Sequence, residues 1–352
     1  MPQRRRLLPE WAPQAGVLLA WPHEDTDWAP LLGAVEAEYR TLARTLAAYA
    51  PVLVLCRDEA HRAHVAAQLR DLPPGRLRLA CCPYDDTWTR DYGPLAVAGP
   101  PAEGGGPGKG LELVDCRFDG WGGKHPAARD DAVTACLHAQ GLFGDVPLRR
   151  AELVLEGGAV ETDGRGTLLA TRSSVLPRNP GLDRPALEAE LRRLLGLERF
   201  HWLEHGHLEG DDTDGHVDTL ARYCGPRTIA HAACDDPGDP HHGPLAAMAA
   251  ELRRLRDPEG RPYRLVPLPW PRPIHAADGS RLPATYANFL ILDRAVLVPA
   301  YGDPADEEAR RRLAACFPGR EVRPVPCRHL LEQRGSLHCA TLQLPRGALG
   351  PG

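Results

Sequence analysis

The sequence predicts an α/β fold, because short apolar strands alternate with helical segments along the whole chain. Runs typical of strands occupy residues 16–21, 52–56, 77–82, 111–118, 153–155, 167–171, 217–223, 228–232, 289–292, 295–299 and 337–344. Segments with helical periodicity occupy residues 31–48, 59–69, 130–140, 185–195, 244–255 and 304–316. Several strands alternate in polarity, which favours small sheets with one polar face over a sheet buried on both faces. We therefore expect small sheets, with helices between them, around a central polar site.

No strong domain boundary interrupts this pattern. The low-complexity stretch at residues 99–110 (GPPAEGGGPGKG) is typical of a flexible surface loop or hairpin. It lies too close to strand-like runs on both sides to divide the chain. We therefore interpret residues 1–352 as a single domain.

Composition argues against several classes of protein. The formal net charge is −5 and the isoelectric point about 6.3, whereas nucleic-acid-binding proteins normally present a basic patch. No run of 18 or more apolar residues indicates a membrane span, and the basic N-terminus lacks the apolar stretch of a signal peptide. The ten cysteines are scattered, without a CxxC pair. We expect a cytoplasmic protein with free thiols and with no nucleic-acid or membrane partner.

Four clusters of residues could do chemistry. Residues 85–94 (DDTWTRDYGP) mix acids, aromatic residues and an arginine, a composition equally typical of a solvated loop. Glu156 stands between an apolar strand and two glycines, as an ordinary strand-end turn would also place it. His216 and Asp218 would share one face of a strand. Cys339 follows a glycine turn in the last strand-like run, although most single cysteines are buried and inert.

The histidine cluster leaves two chemistries open. A histidine and a carboxylate on one face suit proton transfer beside a cationic substrate. They also suit a metal pair, and His205 and His207, again two residues apart, favour that alternative slightly. No HExxH motif or Cys/His ligand spacing supports it. Together the four clusters supply a nucleophile, a proton carrier and several carboxylates, and acids beside a thiol favour a cationic substrate that neutralises them.

These clusters, in this order, resemble the agmatine deiminase family, which also contains bacterial peptidyl-arginine deiminases. Matching segments run almost from end to end. They are residues 9–14 (PEWAPQ), 18–22 (LLAWP), 86–94 (DTWTRDYGP), 118–123 (FDGWGG), 155–158 (LEGG), 164–167 (GRGT), 178–180 (RNP), 211–218 (DDTDGHVD), 286–289 (YANF), 298–299 (VP), 302–303 (GD) and 338–339 (HC). A match in so many separate places is highly specific.

The resemblance implies a five-bladed, pseudosymmetric propeller of ββαβ modules, a choice that the alternation of elements alone does not make. It also implies hydrolysis of a guanidine to a ureido group and ammonia, as from agmatine to N-carbamoylputrescine on the way to putrescine in polyamine biosynthesis. Neither a metal nor an organic cofactor is implied. The expected partner is a small cationic guanidine substrate, and a homo-oligomer is compatible with this assignment.

Carried over position by position, the resemblance assigns catalytic roles to five side chains. Cys339 would attack the guanidinium carbon through a covalent amidino-cysteine intermediate. His216 would protonate the departing ammonia and then activate water, oriented and supported by Glu156. Asp91 and Asp218 would hold the guanidinium nitrogens by charge-assisted hydrogen bonds.

Three further side chains are assigned to the rest of the substrate. Trp88 and Trp121 would flank its apolar chain, and Asp212 would meet a distal ammonium. The sequence departs from the family just before the cysteine, where residues 333–337 (QRGSL) replace a run of glycines. Arg334 there could favour a carboxylate or a peptide carbonyl, although an arginine directed into solvent is the commoner case. The acid-rich segment 211–218 favours a second cation, so we expect agmatine to be preferred over arginine.

Three alternatives accompany this interpretation. A peptidyl-arginine deiminase would keep the reaction and change the substrate, but such enzymes are normally exported. A ribosome-binding initiation factor shares this type of propeller without being an enzyme, and it would not need the acid, histidine and cysteine set. A metal-dependent amidohydrolase would be built on the histidines instead.

Overall fold

The structure of the protein is a computed structural model that describes residues 5–99 and 110–350. Most of the Gly-rich stretch predicted as a loop, residues 100–109, lies outside the described residues. At its two ends, the backbone N–H of Gly99 donates to the carbonyl of Gly110 at 3.0 Å. The longer helices are α1 (Leu32–Ala47), α2 (Glu59–Gln68), α3 (Asp130–Ala139), α4 (Arg184–Leu195), α5 (His242–Arg254) and α6 (Asp306–Cys316). All six agree with the predicted segments to within two residues at either end.

Seventeen strands are described in these two ranges, and they form five separate sheets. The strands are β1 (Arg6–Leu7), β2 (Gln14–Ala20), β3 (Val52–Cys56), β4 (Leu77–Cys81), β5 (Leu95–Ala98), β6 (Leu111–Arg117), β7 (Leu148–Val154), β8 (Glu161–Thr162), β9 (Thr167–Thr171), β10 (Arg199–Leu203), β11 (Ala221–Gly225), β12 (Thr228–Ala232), β13 (Arg264–Leu268), β14 (Leu290–Ile291), β15 (Ala295–Ala300), β16 (Glu321–Pro326) and β17 (Leu342–Pro345).

One arrangement recurs in the five sheets. Two antiparallel strands are followed by a helix that crosses to a third strand, which lies parallel to the second. The repeats are β5–β6–α3–β7, β8–β9–α4–β10, β11–β12–α5–β13 and β14–β15–α6–β16. In the fifth sheet β17 lies antiparallel to β2, and α1 then leads to β3, so strands from opposite ends of the chain complete it. The α/β fold predicted from the sequence is therefore confirmed.

Local sequence explains why the helices form where they do. In α1 the buried residues Val35, Tyr39, Leu42 and Leu46 recur at three- and four-residue intervals and pack into the main apolar core. The α4 helix begins after Asp183, whose carboxylate accepts from the N–H of Ala186 at 2.9 Å, and it ends at a left-handed glycine. None of the described helices is both long and apolar enough to span a bilayer.

Two of the predicted strands were wrong. Residues 216–219 are not a strand: Val217–Thr219 form a 3₁₀ turn, and β11 begins only at Ala221. The last strand was predicted at residues 337–344, but β17 begins only at Leu342. Cys339 therefore lies in the loop before β17. Tertiary packing overrode the apolar pattern in both segments, because their polar groups bond to other loops.

The expectation that every thiol is free was also wrong. Cys82, just after β4, forms a disulfide with Cys136 of α3, and the other eight cysteines are free. The two residues are 54 apart in sequence, but packing of α3 beside the end of β4 brings their Cα atoms to 6.2 Å. Sequence spacing alone could not reveal that contact.

Candidate active site

A single cavity gathers the residues that the sequence singled out. It has a volume of about 280 Å³, and its walls include Cys339, Asp91, Trp88, Trp121 and Asp212. Two of the other three predicted side chains contact members of this wall, since His216 contacts Asp91 and Asp218 contacts Cys339. The third, Glu156, contacts His216. All eight predicted site residues therefore lie together, although they come from segments up to 251 positions apart.

Cys339 lies in the wall of the cavity, 7% exposed. Its Sγ accepts from the Asn288 amide at 3.2 Å and lies 3.7 Å from Oδ2 of Asp218. Burial raises the pKa of the Cys339 thiol well above its usual value, and the carboxylates of Asp218 and Asp91 raise it further. The free site therefore holds a neutral thiol, and a cation in the cavity would favour its ionisation.

His216 lies among carboxylates. Its Nδ1 is 3.6 Å from Oδ1 of Asp91, and its Nε2 is 3.4 Å from Oε2 of Glu156. Burial opposes a charge on this ring, but Asp91, Glu156 and Asp218 outweigh it and raise the pKa of His216 to about 10. At neutral pH the group is an imidazolium, ready to donate a proton. His216 and Asp218 do not share a strand face as predicted, because a 3₁₀ turn follows His216. The ring of His216 is nevertheless buried, in contact with Glu156.

Glu156 is anchored from its other side. One of its oxygens accepts from Nε of Arg178 at 2.8 Å, and the same guanidinium donates to Asp214 at 2.7 Å. Both Glu156 and Arg178 are buried. Burial opposes ionisation of Glu156, yet contact with His216 and Arg178 keeps its pKa below the usual value. A carboxylate held in this way can only face the imidazolium.

Gly158 permits the close approach of three charged groups. A Cβ at this position would lie 2.7 Å from Oδ1 of Asp91, 2.7 Å from Nδ1 of His216 and 3.1 Å from Oδ2 of Asp218. The backbone N–H of Gly158 instead donates to Oδ1 of Asp91 at 2.9 Å. A glycine is therefore required at position 158 for steric reasons. The sequence alone could not show this, because two glycines after a strand are also typical of an ordinary turn.

Two buried polar atoms in this centre have no hydrogen-bond partner among the described residues: Nδ1 of His216, although it lies 3.6 Å from Oδ1 of Asp91, and Oδ1 of Asp218. Buried polar atoms are normally hydrogen-bonded, so a donor and an acceptor without such partners behind the cavity wall favour a ligand here.

Aromatic side chains form the walls between this centre and the opening. Trp121 lies in a left-handed turn, with φ of +57°, and its Nε1 donates to Oδ2 of Asp91 at 2.9 Å. The backbone at Gly335 runs directly against the ring of Trp88, where a side chain would clash. The two tryptophans thus face the space that an alkyl chain would occupy.

Acids surround the far end of the cavity. Asp27, Asp86 and Asp212 all line it. Burial, together with the nearby Asp27 and Asp212, raises the pKa of Asp86 to about 7, and a cation placed there would lower it again. The Oδ2 of Asp212 is 3.4 Å from Nε2 of His125. Arg334 lines the cavity as well, but its guanidinium donates to the carbonyl of Gly210 at 2.7 Å, so it is not directed into solvent.

Sequence reasoning gave no role to several residues that contact the site. Asn288 lies within the matched segment 286–289, and its amide bridges Cys339, Asp218 and the backbone of His338. An amide just before the buried β14 was the available signal. His338 contacts Asp218 directly, at 2.7 Å. By contrast, His205, weighed as a metal ligand, pairs with Glu251 on the surface.

Comparison with known proteins agrees with this geometry. Residues 6–345 match the family model of Porphyromonas-type peptidyl-arginine deiminases. Agmatine deiminase of Stutzerimonas stutzeri is 36% identical over 96% of this chain and 94% of its own. A Porphyromonas gingivalis structure, provisionally named an arginine deiminase, has a TM-score of 0.90, with 45% identity over 99% of this chain and all of its own. A cysteine-to-serine variant of C. jejuni agmatine deiminase with substrate bound has a TM-score of 0.88, with 31% identity over 97% and 96%. The chain therefore belongs to the family of Porphyromonas-type peptidyl-arginine deiminases and agmatine deiminases.

Proposed function

We propose that the protein hydrolyses the guanidinium group of agmatine, giving N-carbamoylputrescine and ammonia through a covalent amidino-cysteine intermediate. One observation carries the proposal: the Cys339 thiol lies in the wall of an acid-lined cavity, with the carboxylates of Asp91 and Asp218 and the His216 imidazolium behind it. The names of the relatives support the same substrate, since the curated agmatine deiminases align along nearly their whole length.

The first half of the reaction forms the carbon–sulfur bond. The substrate guanidinium lies against Asp91 and Asp218, and its charge favours loss of the Cys339 proton to solvent. The Cys339 thiolate then adds to the guanidinium carbon. His216 donates its proton to the terminal nitrogen, the carbon–nitrogen bond breaks, and ammonia leaves behind an amidino-thioester.

The second half consumes water. His216, now neutral and still held by Glu156, removes a proton from a water molecule that attacks the same carbon. The carbon–sulfur bond breaks, and the Cys339 thiolate returns together with the His216 imidazolium. The remaining proton passes to ammonia, so guanidinium and water become a ureido group and ammonium, and no metal or redox step is required.

The outer end of the cavity favours agmatine over arginine. Agmatine carries an ammonium where arginine carries an ammonium and a carboxylate. A second cation fits beside Asp27, Asp86 and Asp212, whereas a carboxylate would be repelled there. Charge-assisted contacts of this kind are worth about 1–3 kcal/mol, or roughly tenfold and more in specificity.

We also propose that the five sheets are the blades of one propeller, and that residues 1–352 form a single catalytic domain around its centre. The recurring ββαβ order supports this arrangement. So does the origin of the site, since Asp91, Glu156, His216, Asn288 and Cys339 each come from a segment that joins one sheet to the next along the chain.

The decisive experiment measures ammonia release from agmatine, arginine, peptidyl-arginine and methylated guanidines by the purified protein. We expect kcat/KM to be largest for agmatine. A larger value for peptidyl-arginine would replace the substrate and keep the reaction, and absence of ammonia release from all of them would overturn the proposed function.

A further inference from the structure

The carboxylate of Asp218 is held from behind by a second histidine. Nδ1 of His338 lies 2.7 Å from Oδ2 of Asp218, and Nε2 of His338 contacts Oε1 of Glu10. Each ring nitrogen of His338 therefore faces a carboxylate oxygen. His338 is 1% exposed, so solvent does not screen this contact.

Glu10 belongs to a larger set of buried charges on this side. It contacts the guanidinium of Arg222 and lies 3.1 Å from that of Arg90. Arg222 contacts Glu161 in turn. Glu10 therefore joins His338 to two buried arginines, and these contacts fix the position of the ring.

The same residues do not make a convincing metal site. Ligand atoms of Glu10, Glu161 and His338 lie within 4.8 Å of one another. However, Arg222 contacts both glutamates, and both ring nitrogens of His338 already contact carboxylates. A metal ion would have to displace these contacts, so the arrangement is complete without one.

We propose that His338, held by Glu10, is a positioning residue that fixes the carboxylate of Asp218 beside the Cys339 thiol, where Oδ2 lies 3.7 Å from Sγ. The inference rests on the proposed function for its substrate, but the geometry that carries it does not depend on the substrate. Oδ2 of Asp218 is occupied by His338 and Asn288, whereas Oδ1 is buried and unpaired among the described residues. Without His338 the carboxylate could rotate and pair with other groups.

Two substitutions test the contact between His338 and Asp218. His338→Asn places an amide N–H close to the position of Nδ1, so it restores the hydrogen bond to Asp218. His338→Ala removes that hydrogen bond. As a matched control, His231→Asn changes another buried histidine, whose Nδ1 contacts a backbone carbonyl in β12.

Two readouts then report on the position of Asp218. For agmatine, we expect His338→Ala to raise KM on the order of tenfold, and His338→Asn to recover most of that loss. The second readout is alkylation of Cys339 by iodoacetamide, followed against pH without substrate. Burial and the carboxylates of Asp218 and Asp91 raise the pKa of this thiol, and His216 lies beside Asp91. Because Asp218 is released in His338→Ala, we expect its profile to move down by about one pH unit, and the profile of His338→Asn to stay close to that of the unmodified protein.

The outcomes separate the possibilities. An alkylation profile of His338→Ala equal to that of the unmodified protein would overturn the proposal. If His338→Ala does not fold, a shifted profile in His338→Asn would overturn it. A KM in His338→Asn as high as in His338→Ala would overturn it as well. His231→Asn should leave both readouts unchanged, and shifts as large as those of the His338 variants would make the effect a general one of buried histidines. Since alkylation needs no substrate, a failure of the proposed agmatine activity would leave this test intact.

Discussion

The two sides of Asp218 are built differently. On the cavity side, Cys339 lines the cavity, and Nδ1 of His216 is buried without a hydrogen-bond partner in the described part of the chain. On the ion-pair side, Glu10 pairs with Arg222 and Arg90, and Arg222 also contacts Glu161. Both sides are buried, so burial does not distinguish them. The difference teaches that a cavity beside reactive groups, rather than buried charge alone, marks the candidate site.

The sharpest test of the cavity side is removal of the thiol. Cys339→Ala should lower kcat for agmatine by more than about 10⁴-fold, because no other nucleophile faces the unpaired groups. Cys81→Ala is the control: its thiol contacts Glu59 outside the cavity, and turnover should be unchanged. Near-normal turnover by Cys339→Ala would refute the covalent route. Mass spectrometry of a trapped reaction should show the amidino adduct on Cys339.

A methyl group at Gly158 should cause the next largest loss of activity. In Gly158→Ala the new Cβ would lie 2.7 Å from charged atoms of both Asp91 and His216, and these cannot move without breaking their own contacts. We expect kcat/KM to fall by on the order of 100-fold or more. Gly33→Ala in α1 is the matched control, because its Cβ would meet nothing within 4 Å. Equal activity of the two variants would contradict the tight geometry described here.

The charge on His216 should also appear in stability. Its folded-state pKa of about 10 lies above the unfolded value of 6.5. The stabilisation is therefore complete below about pH 6.5 and is lost as the pH rises through 10. His216→Asn should melt several degrees below the unmodified protein at pH 6, and the gap should narrow steadily towards pH 10.5. A gap that widens with pH would show that the ring is neutral in the free site.

Smaller effects are expected at the outer end of the cavity. Asp212→Asn should reduce the preference for agmatine over arginine by roughly tenfold, because one of the acids facing the second cation is lost. Arg334→Ala should change this preference little, since its guanidinium is directed to the carbonyl of Gly210. If Asp212→Asn leaves the preference for agmatine intact, the distal ammonium binds elsewhere. If only Arg334→Ala changes this preference, Arg334 contacts the distal end of the substrate.

No change is expected on treatment with a strong chelator. The paired glutamates behind His338 have no free oxygen to offer a metal, and the proposed reaction requires none. Ammonia release should be equal before and after dialysis against the chelator, and addition of Zn²⁺ should not raise it. Loss of activity that zinc restores would show that the ion-pair side, rather than the cavity side, holds the catalytic group.

The amino-acid sequence by itself determined the local elements and the types of chemistry. Helical periodicity predicted all six long helices, and the motifs named the thiol, the histidine, the carboxylates and the tryptophans that meet in the cavity. These signals are local: a repeat of three or four residues sets a helix, and a few neighbouring residues make a motif.

Only the tertiary structure decided which of these groups touch. The 3₁₀ turn after His216, the loop that carries Cys339 and the Cys82–Cys136 disulfide all contradicted the local patterns. The roles of Gly158, Asn288 and His338 likewise depend on neighbours more than 50 positions away in the chain. Such contacts are set by the packing of separate sheets, which no local periodicity encodes. The same packing placed Oδ2 of Asp218 against His338 and Asn288, 3.7 Å from Sγ of Cys339.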